Sequence, residues 1–116
     1  MSIAADLIRG HTDAIILAQL IAEDSYGYKI NNTIKEATDN RYELKEATLY
    51  TAFRRLEQSG CISSYWGDGE GGARRRYYSI TKRGTETYLN LVNEWKQANE
   101  IINKLIYSER AEETDK

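Results

Sequence analysis

No proline occurs anywhere in the chain, so its helices must end at glycines or polar caps rather than at a ring that lacks an N–H. A single cysteine, Cys61, excludes an internal disulfide and agrees with a reducing compartment. No apolar run approaches the ~18 residues of a membrane span, and the first residues lack the pattern of a secretory signal. The expectation is a soluble cytoplasmic protein with no membrane partner. With 116 residues there is room for one core, and 41% apolar with 29% charged residues places that core in the ordinary globular class.

The formal net charge of −2 speaks at first against a polyanionic partner. Its distribution reverses that reading. From Arg41 to Arg83 nine Lys or Arg stand against five Asp or Glu, a local +4, while the rest of the chain carries −6. Phosphate responds to the local patch and not to the chain total, so a basic middle is compatible with DNA.

The first segment, Ile3 to Glu23, reads as one helix, with Leu7, Ile8, His11, Ile15, Ala18 and Ile21 or Ala22 recurring at steps of three and four. Its apolar belt from Ala14 to Ala22 is wide enough to be covered from two directions, by its own domain and by a second subunit. Ser25 is a cap residue for a second helix over about 26–38, with Ile30, Ile34 and Ala37 turned inward. Asp39, Asn40 and Arg41 mark a loop. A third helix runs from about Glu46 to Ser59 and closes at Gly60, burying Leu49, Phe53 and Leu56. Two stretches rich in β-forming residues follow, 62–67 and 74–80. Thr81 then caps a last helix reaching about Tyr107, with Tyr88, Leu91, Val92, Trp95, Ile102, Leu105 and Ile106 close to a heptad pattern. The charged end, 108–116, is expected to be frayed.

Between the two strands lies GDGEGGARRR, residues 67–76, which fits G-x-G-x-x-G at Gly67, Gly69 and Gly72. A dinucleotide fingerprint needs a helix opening at its last glycine, and here a strand follows. The glycines therefore form the tip of a β-hairpin. Catalysis finds no better footing: His11, the only histidine, sits among apolar positions, and Cys61 sits in a place that suits a small buried group. Neither has an orienting partner or a metal-like cluster nearby in sequence. No catalytic residue, metal or cofactor is expected.

Helix, helix, helix, hairpin is the order of a winged helix-turn-helix, in which one helix enters the major groove and the hairpin reaches the adjacent backbone. The fold class is mainly α with a small β-hairpin. In the third helix Lys45, Thr48 and Thr51 can donate to bases or phosphates, Tyr50 offers a hydroxyl, and Arg54 and Arg55 can reach phosphate. On the strand, Arg74, Arg75 and Arg76 are expected to bind DNA; Arg75 must face away from Arg74 and Arg76, because side chains alternate, so at least part of the cluster should reach a polyanion.

The stretch ATLYTAFRRLEQSGCISSYWGDGEGGARRRYYSITKRG, 47–84, resembles the signature of the PadR family of bacterial transcriptional regulators. The threonine-leucine-tyrosine run, arginine-leucine-glutamate triplet, glycine-arginine wing and tyrosine-rich strand follow in that order. One departure stands out: where many members carry proline after the recognition-helix tyrosine, this chain has Thr51. The single long C-terminal helix resembles the short branch of the family, which includes regulators of multidrug-efflux genes. The resemblance implies a homodimer on a palindromic operator in double-stranded DNA, and a planar hydrophobic effector bound near Trp95. Core packing is the other reading of Trp95. It also implies a winged unit over residues 1–81, a dimerisation helix over 82–107 and the charged tail beyond. Two functions follow: a ligand-modulated repressor, or a winged-helix protein-interaction module that does not bind DNA.

Overall fold

A computed structural model describes residues 3–107. Five helices and one hairpin follow in the order α1 (Ile3–Arg9), α2 (Thr12–Ala22), α3 (Gly27–Ala37), α4 (Glu46–Gln58), β1 (Ile62–Asp68), β2 (Arg74–Ile80) and α5 (Lys82–Ile106). The tail expected over 108–116 lies outside the described residues.

The single first helix expected from the sequence is two. Gly10, a poor helix former, and His11 interrupt it. The Thr12 hydroxyl donates to the Arg9 carbonyl at 2.7 Å, satisfying an acceptor that the end of α1 leaves open. On α2, Ile16, Leu17 and Leu20 are buried, and the remaining apolar residues are half-buried or exposed.

Ser25 does not cap α3; Tyr26 holds that position and no side chain caps the helix. Ser25 instead makes a two-way backbone pair with Tyr78 (Ser25 N–H to Tyr78 C=O 3.1 Å, the reverse 2.7 Å), adding a bridge to the edge of the hairpin. Ile30 and Ile34 are buried as expected, but Ala37, in the last turn of α3, is exposed. The turn that follows contains two left-handed residues, Asp39 and Asn40 (φ 53° and 63°), a conformation their short polar side chains tolerate.

The placement of α4 depends on Asn31. Its side-chain amide donates to the Leu44 carbonyl at 2.7 Å and its carbonyl accepts from the Leu44 N–H at 2.8 Å, so the approach to α4 is paired as a strand would be. Leu49, Ala52, Phe53 and Leu56 then point into the core. Gly60, at φ 80°, ends α4 with Gly60 N–H bonded to Glu57 C=O and Cys61 N–H to Leu56 C=O, the paired bonds of a Schellman motif.

β1 and β2 pair antiparallel with Tyr65 opposite Tyr77, Trp66 opposite Arg76 and Asp68 opposite Arg74. The glycine tip is a short 3₁₀ turn in which Gly71 and Gly72 take positive φ. Tyr78 stacks on Phe53 at 3.9 Å between ring centroids, which docks the hairpin on α4. Thr81 caps α5 as expected, its hydroxyl oxygen accepting from the Gly84 N–H at 3.0 Å. The architecture is a winged helix carrying a long C-terminal helix.

Candidate nucleic-acid interface

Three residues at the end of α4 and on the hairpin fix the helix and the wing relative to each other. Glu57, in the last turn of α4, accepts from the Ser64 hydroxyl at 2.6 Å and from the Arg76 guanidinium at 3.3 Å; Arg76 also donates to Ser64 at 2.8 Å. Hairpin and α4 thus share one hydrogen-bonded corner. The wing face that carries Arg76 also carries Trp66 and Arg74, whose side chains alternate with those of the other face. Both guanidiniums lie near the Trp66 ring, at 5.7 Å for Arg74 and 5.9 Å for Arg76.

Arg75 belongs to the opposite face, as alternation requires. It is half-buried, with its guanidinium 4.0 Å from the Tyr26 ring at the head of α3. Tyr77 meets Tyr26 edge-on at 5.5 Å and stacks on Tyr65 at 5.6 Å, and Tyr65 donates to Asp24 at 2.6 Å. That hydrogen bond holds the Tyr65 phenol above its ordinary pKa, since the proton it donates is the one it would lose. Of the three arginines, Arg75 is the one built into the wing's own packing.

On α4 the expected residues divide. Thr51 and Arg54 are exposed, away from the buried ridge of Leu49, Ala52, Phe53 and Leu56. Lys45 is exposed at the N-cap position. Thr48 is half-buried beside Arg9, Thr12 and Arg55, lining a shallow groove on the α1–α2 side. Tyr50 is exposed on the α3 side with its ring edge on Phe53 at 5.6 Å, and its hydroxyl is so close to Gly27 that a methyl there would fall 2.7 Å away. Arg55 does not project freely from the helix; it is ion-paired with Asp13 of α2.

Trp95 lies halfway along α5, 48% exposed, with the His11 ring edge-on at 4.8 Å. Both residues line a cavity of about 550 Å³ that Asp13 and Arg55 also border. His11, expected among packed apolar positions, is therefore at a helix break and in a cavity wall. The sequence had not signalled Trp66, Glu57 or the His11–Trp95 contact, because each depends on strand register or on a pairing between remote elements. Among the described residues no cluster of His, Cys, Asp or Glu is placed to hold a metal, and no helix is long and apolar enough to cross a membrane.

Comparison with known proteins agrees with this geometry. The model of the transcriptional regulator PadR-like family matches residues 16–90. A protein of Lysinibacillus sphaericus, itself uncharacterized, is 45% identical over 100 residues, 86% of this chain and 92% of the relative. A transcriptional regulator from Clostridium thermocellum has a similar structure, with a TM-score of 0.78 and 49% identity, over 85% of this chain and 96% of the other. A PadR family transcription regulator from a hypervirulent Clostridium difficile superposes with a TM-score of 0.70 at 30% identity, over 83% and 98%.

Proposed function

The chain belongs to the PadR-like family of transcriptional regulators, and from that premise we propose that it is a cytoplasmic, homodimeric repressor that binds a palindromic operator and responds to a planar aromatic or lipophilic molecule. The observation that carries the DNA-binding part is the shared corner at Glu57. It ties the exposed side of α4 to the Arg74–Arg76 face of the wing. Lys45, Thr51 and Arg54 supply donors on the helix, Thr48 and Tyr50 flank them, Arg74 supplies charge for the backbone, and Arg76, ion-paired with Glu57 through one guanidinium nitrogen, offers its remaining N–H groups. In this reading residues 1–81 form the DNA-binding unit. Occupancy of the operator is the mode of control in this reading.

The dimer is supported by the course of α5. Tyr88 and Leu91 pack against the core of their own chain, and farther along α5 Ile101, Leu105 and Ile106 are exposed. Leu105 is 76% exposed and Leu7 of α1 is 70% exposed. Large apolar side chains left in water in this number mark an association site, and a second copy would cover those of α5 along residues 82–107.

The effector is supported by the cavity between α2 and α5, where Trp95 and His11 offer ring edges and faces. The Asp13–Arg55 ion pair in its wall connects α2 to α4. A molecule seated there touches the support of the recognition helix directly. This arrangement fits the multidrug-responsive short branch of the family.

The test has two parts. Sedimentation at micromolar concentration should show a dimer. Duplexes from the promoter region beside its own gene should bind more tightly than random duplexes of equal length, with an affinity that falls steeply as salt rises. Specific binding by a monomer, or association with a partner protein and none with any duplex, would overturn the reading. The second of these outcomes is the one the protein-interaction alternative requires.

A further inference from the structure

Trp66 is 56% exposed in β1, so more than half of a large apolar ring stands in water. Its surroundings are specific. Arg76 stands directly across the strand pair and Arg74 lies on the diagonal, and both guanidiniums approach the indole from the β2 side at 5.9 Å and 5.7 Å. Arg74 faces Asp68 across the ladder, yet among the described residues the two form no ion pair, and the guanidinium is turned to the indole instead. Arg76 is fixed by Glu57 and Ser64, so the orientation of this face follows that of α4.

We propose that Trp66 is a DNA contact: its indole packs against a deoxyribose at the edge of the groove that α4 enters, between phosphates met by Arg74 and Arg76. The proposal rests on the DNA-binding reading above. Two observations favour a duplex backbone over a protein surface. The ring lies beside two cations on the same face of the wing, a grouping that suits an apolar sugar next to anionic phosphates. The Glu57 corner also ties that face to the helix carrying the other DNA-facing donors. Every nucleotide offers the same sugar edge, so Trp66 contributes affinity and register without reading sequence. An indole displaces no counterion, so its contribution is independent of salt, unlike that of its arginine neighbours.

The experiment uses the full chain and a fluorescein-labelled random-sequence 30-base-pair duplex at low salt. Hydroxyl-radical footprinting with mass spectrometry reads oxidation of Trp66 and Trp95 separately, with binding followed by anisotropy. At saturation Trp66 should be protected several-fold while Trp95 oxidises at its unbound rate. Trp66→Ala should weaken binding about tenfold (about 1.4 kcal/mol), to promoter and random duplex alike, with the slope of log affinity against log salt unchanged. Trp66→Phe should recover part of the loss. If the duplex binds and Trp66 remains as reactive as in the free protein, the proposal fails and the DNA-binding reading stands. If no duplex binds even at low salt, both fail. The footprint is taken on the unaltered protein, so instability of a variant cannot mask either outcome.

Discussion

His11 and Trp95 meet edge to face, with ring centroids 4.8 Å apart and an interplanar angle of 69°. The contact joins the break between α1 and α2 to the middle of α5, two places 84 positions apart in the chain. It places an exposed indole beside a cavity instead of in a packed seam. An aromatic pair of this kind is worth about 0.5–1.5 kcal/mol beyond the area it buries.

A ligand role and a packing role for Trp95 make different forecasts. Trp95→Ala should abolish binding of the planar anionic dye anilinonaphthalene sulfonate and leave dimerisation and duplex affinity close to unchanged. His11→Ala should weaken the dye and shift its emission without removing it. Full dye binding by Trp95→Ala, or dissociation of its dimer, would assign the residue to packing.

Two adjacent arginines of α4 should behave differently. Arg54 is exposed, whereas Arg55 is engaged by Asp13. Arg54→Ala should lower affinity for promoter and random duplex together and reduce the salt slope by about 0.9, the value of one phosphate contact. Arg55→Ala should leave that slope in place. Both partners of the Arg55 pair are partly exposed, and such pairs contribute about 0–1 kcal/mol to stability. Titrations against potassium chloride decide between them, and equal slopes for the two variants would contradict the assignment.

The wing arginines divide along the same lines. Arg74→Ala should reduce the salt slope and lower the melting temperature less than Arg75→Ala, since its guanidinium lies 5.7 Å from the Trp66 centroid. Arg75→Ala removes a guanidinium lying 4.0 Å over Tyr26 and should lower the melting temperature, because cation–π contacts contribute about 0.5–2 kcal/mol. Calorimetry on both variants is the check. A stable Arg75→Ala that also loses salt dependence would move Arg75 to the DNA side.

The sequence and the folded chain agree most closely where local chemistry is decisive. Gly60, Thr81 and the buried ridge of α4 follow from capping rules and helical periodicity, and Asp39 and Asn40 follow from the tolerance of short polar residues for positive φ. The break at Gly10 and His11 was masked because the apolar spacing continues across it. Ser25 has the composition of a cap but spends its backbone on Tyr78 of the wing, a partner 53 positions away that periodicity does not reveal. Arg55 looks free on a helical wheel, and only the packing of α2 beside α4 brings Asp13 to it. Alternation predicted correctly that Arg75 faces away from its neighbours. That Trp66 shares a face with Arg74 and Arg76 follows only from the hairpin register.

Alkaline titration should expose the hairpin's attachment. Burial pushes the Tyr78 phenol, stacked on Phe53, above its ordinary value near 10, and burial likewise raises Tyr42. The unfolded chain then loses its phenolic protons first, so the stabilisation is complete below about pH 10 and declines as pH rises from there towards the folded-state values. Tyr78→Phe keeps the stacked ring and removes the ionisation. Its stability in urea should fall less between pH 9 and 11 than that of the parent, values chosen to bracket the ordinary phenol at about 10. Parallel curves for the two proteins would show that Tyr78 is not the group involved.

Gly84, in the first turn of α5, is the position least able to accept a side chain. A methyl built there would lie 2.0 Å from the Cys61 carbonyl oxygen and 2.7 Å from Ile80. That carbonyl is backbone and accepts from the Thr81 N–H at 3.0 Å, so it cannot turn aside as the end of a side chain would. Alanine normally favours a helix over glycine by about 1 kcal/mol, and here that gain is opposed by overpacking that commonly costs about 1–3 kcal/mol and is greatest against immobile backbone. Gly84→Ala should therefore lower stability in urea and tilt α5 away from the α4–β1 corner, which weakens any assembly that depends on the direction of α5. Gly10→Ala is the matched control, since its nearest obstacle is the Leu7 carbonyl at an ordinary 3.6 Å; it should be neutral or slightly stabilising. A Gly84→Ala protein as stable as the parent would mean that α5 docks with enough freedom to absorb a methyl, and that its direction is set by something other than this contact.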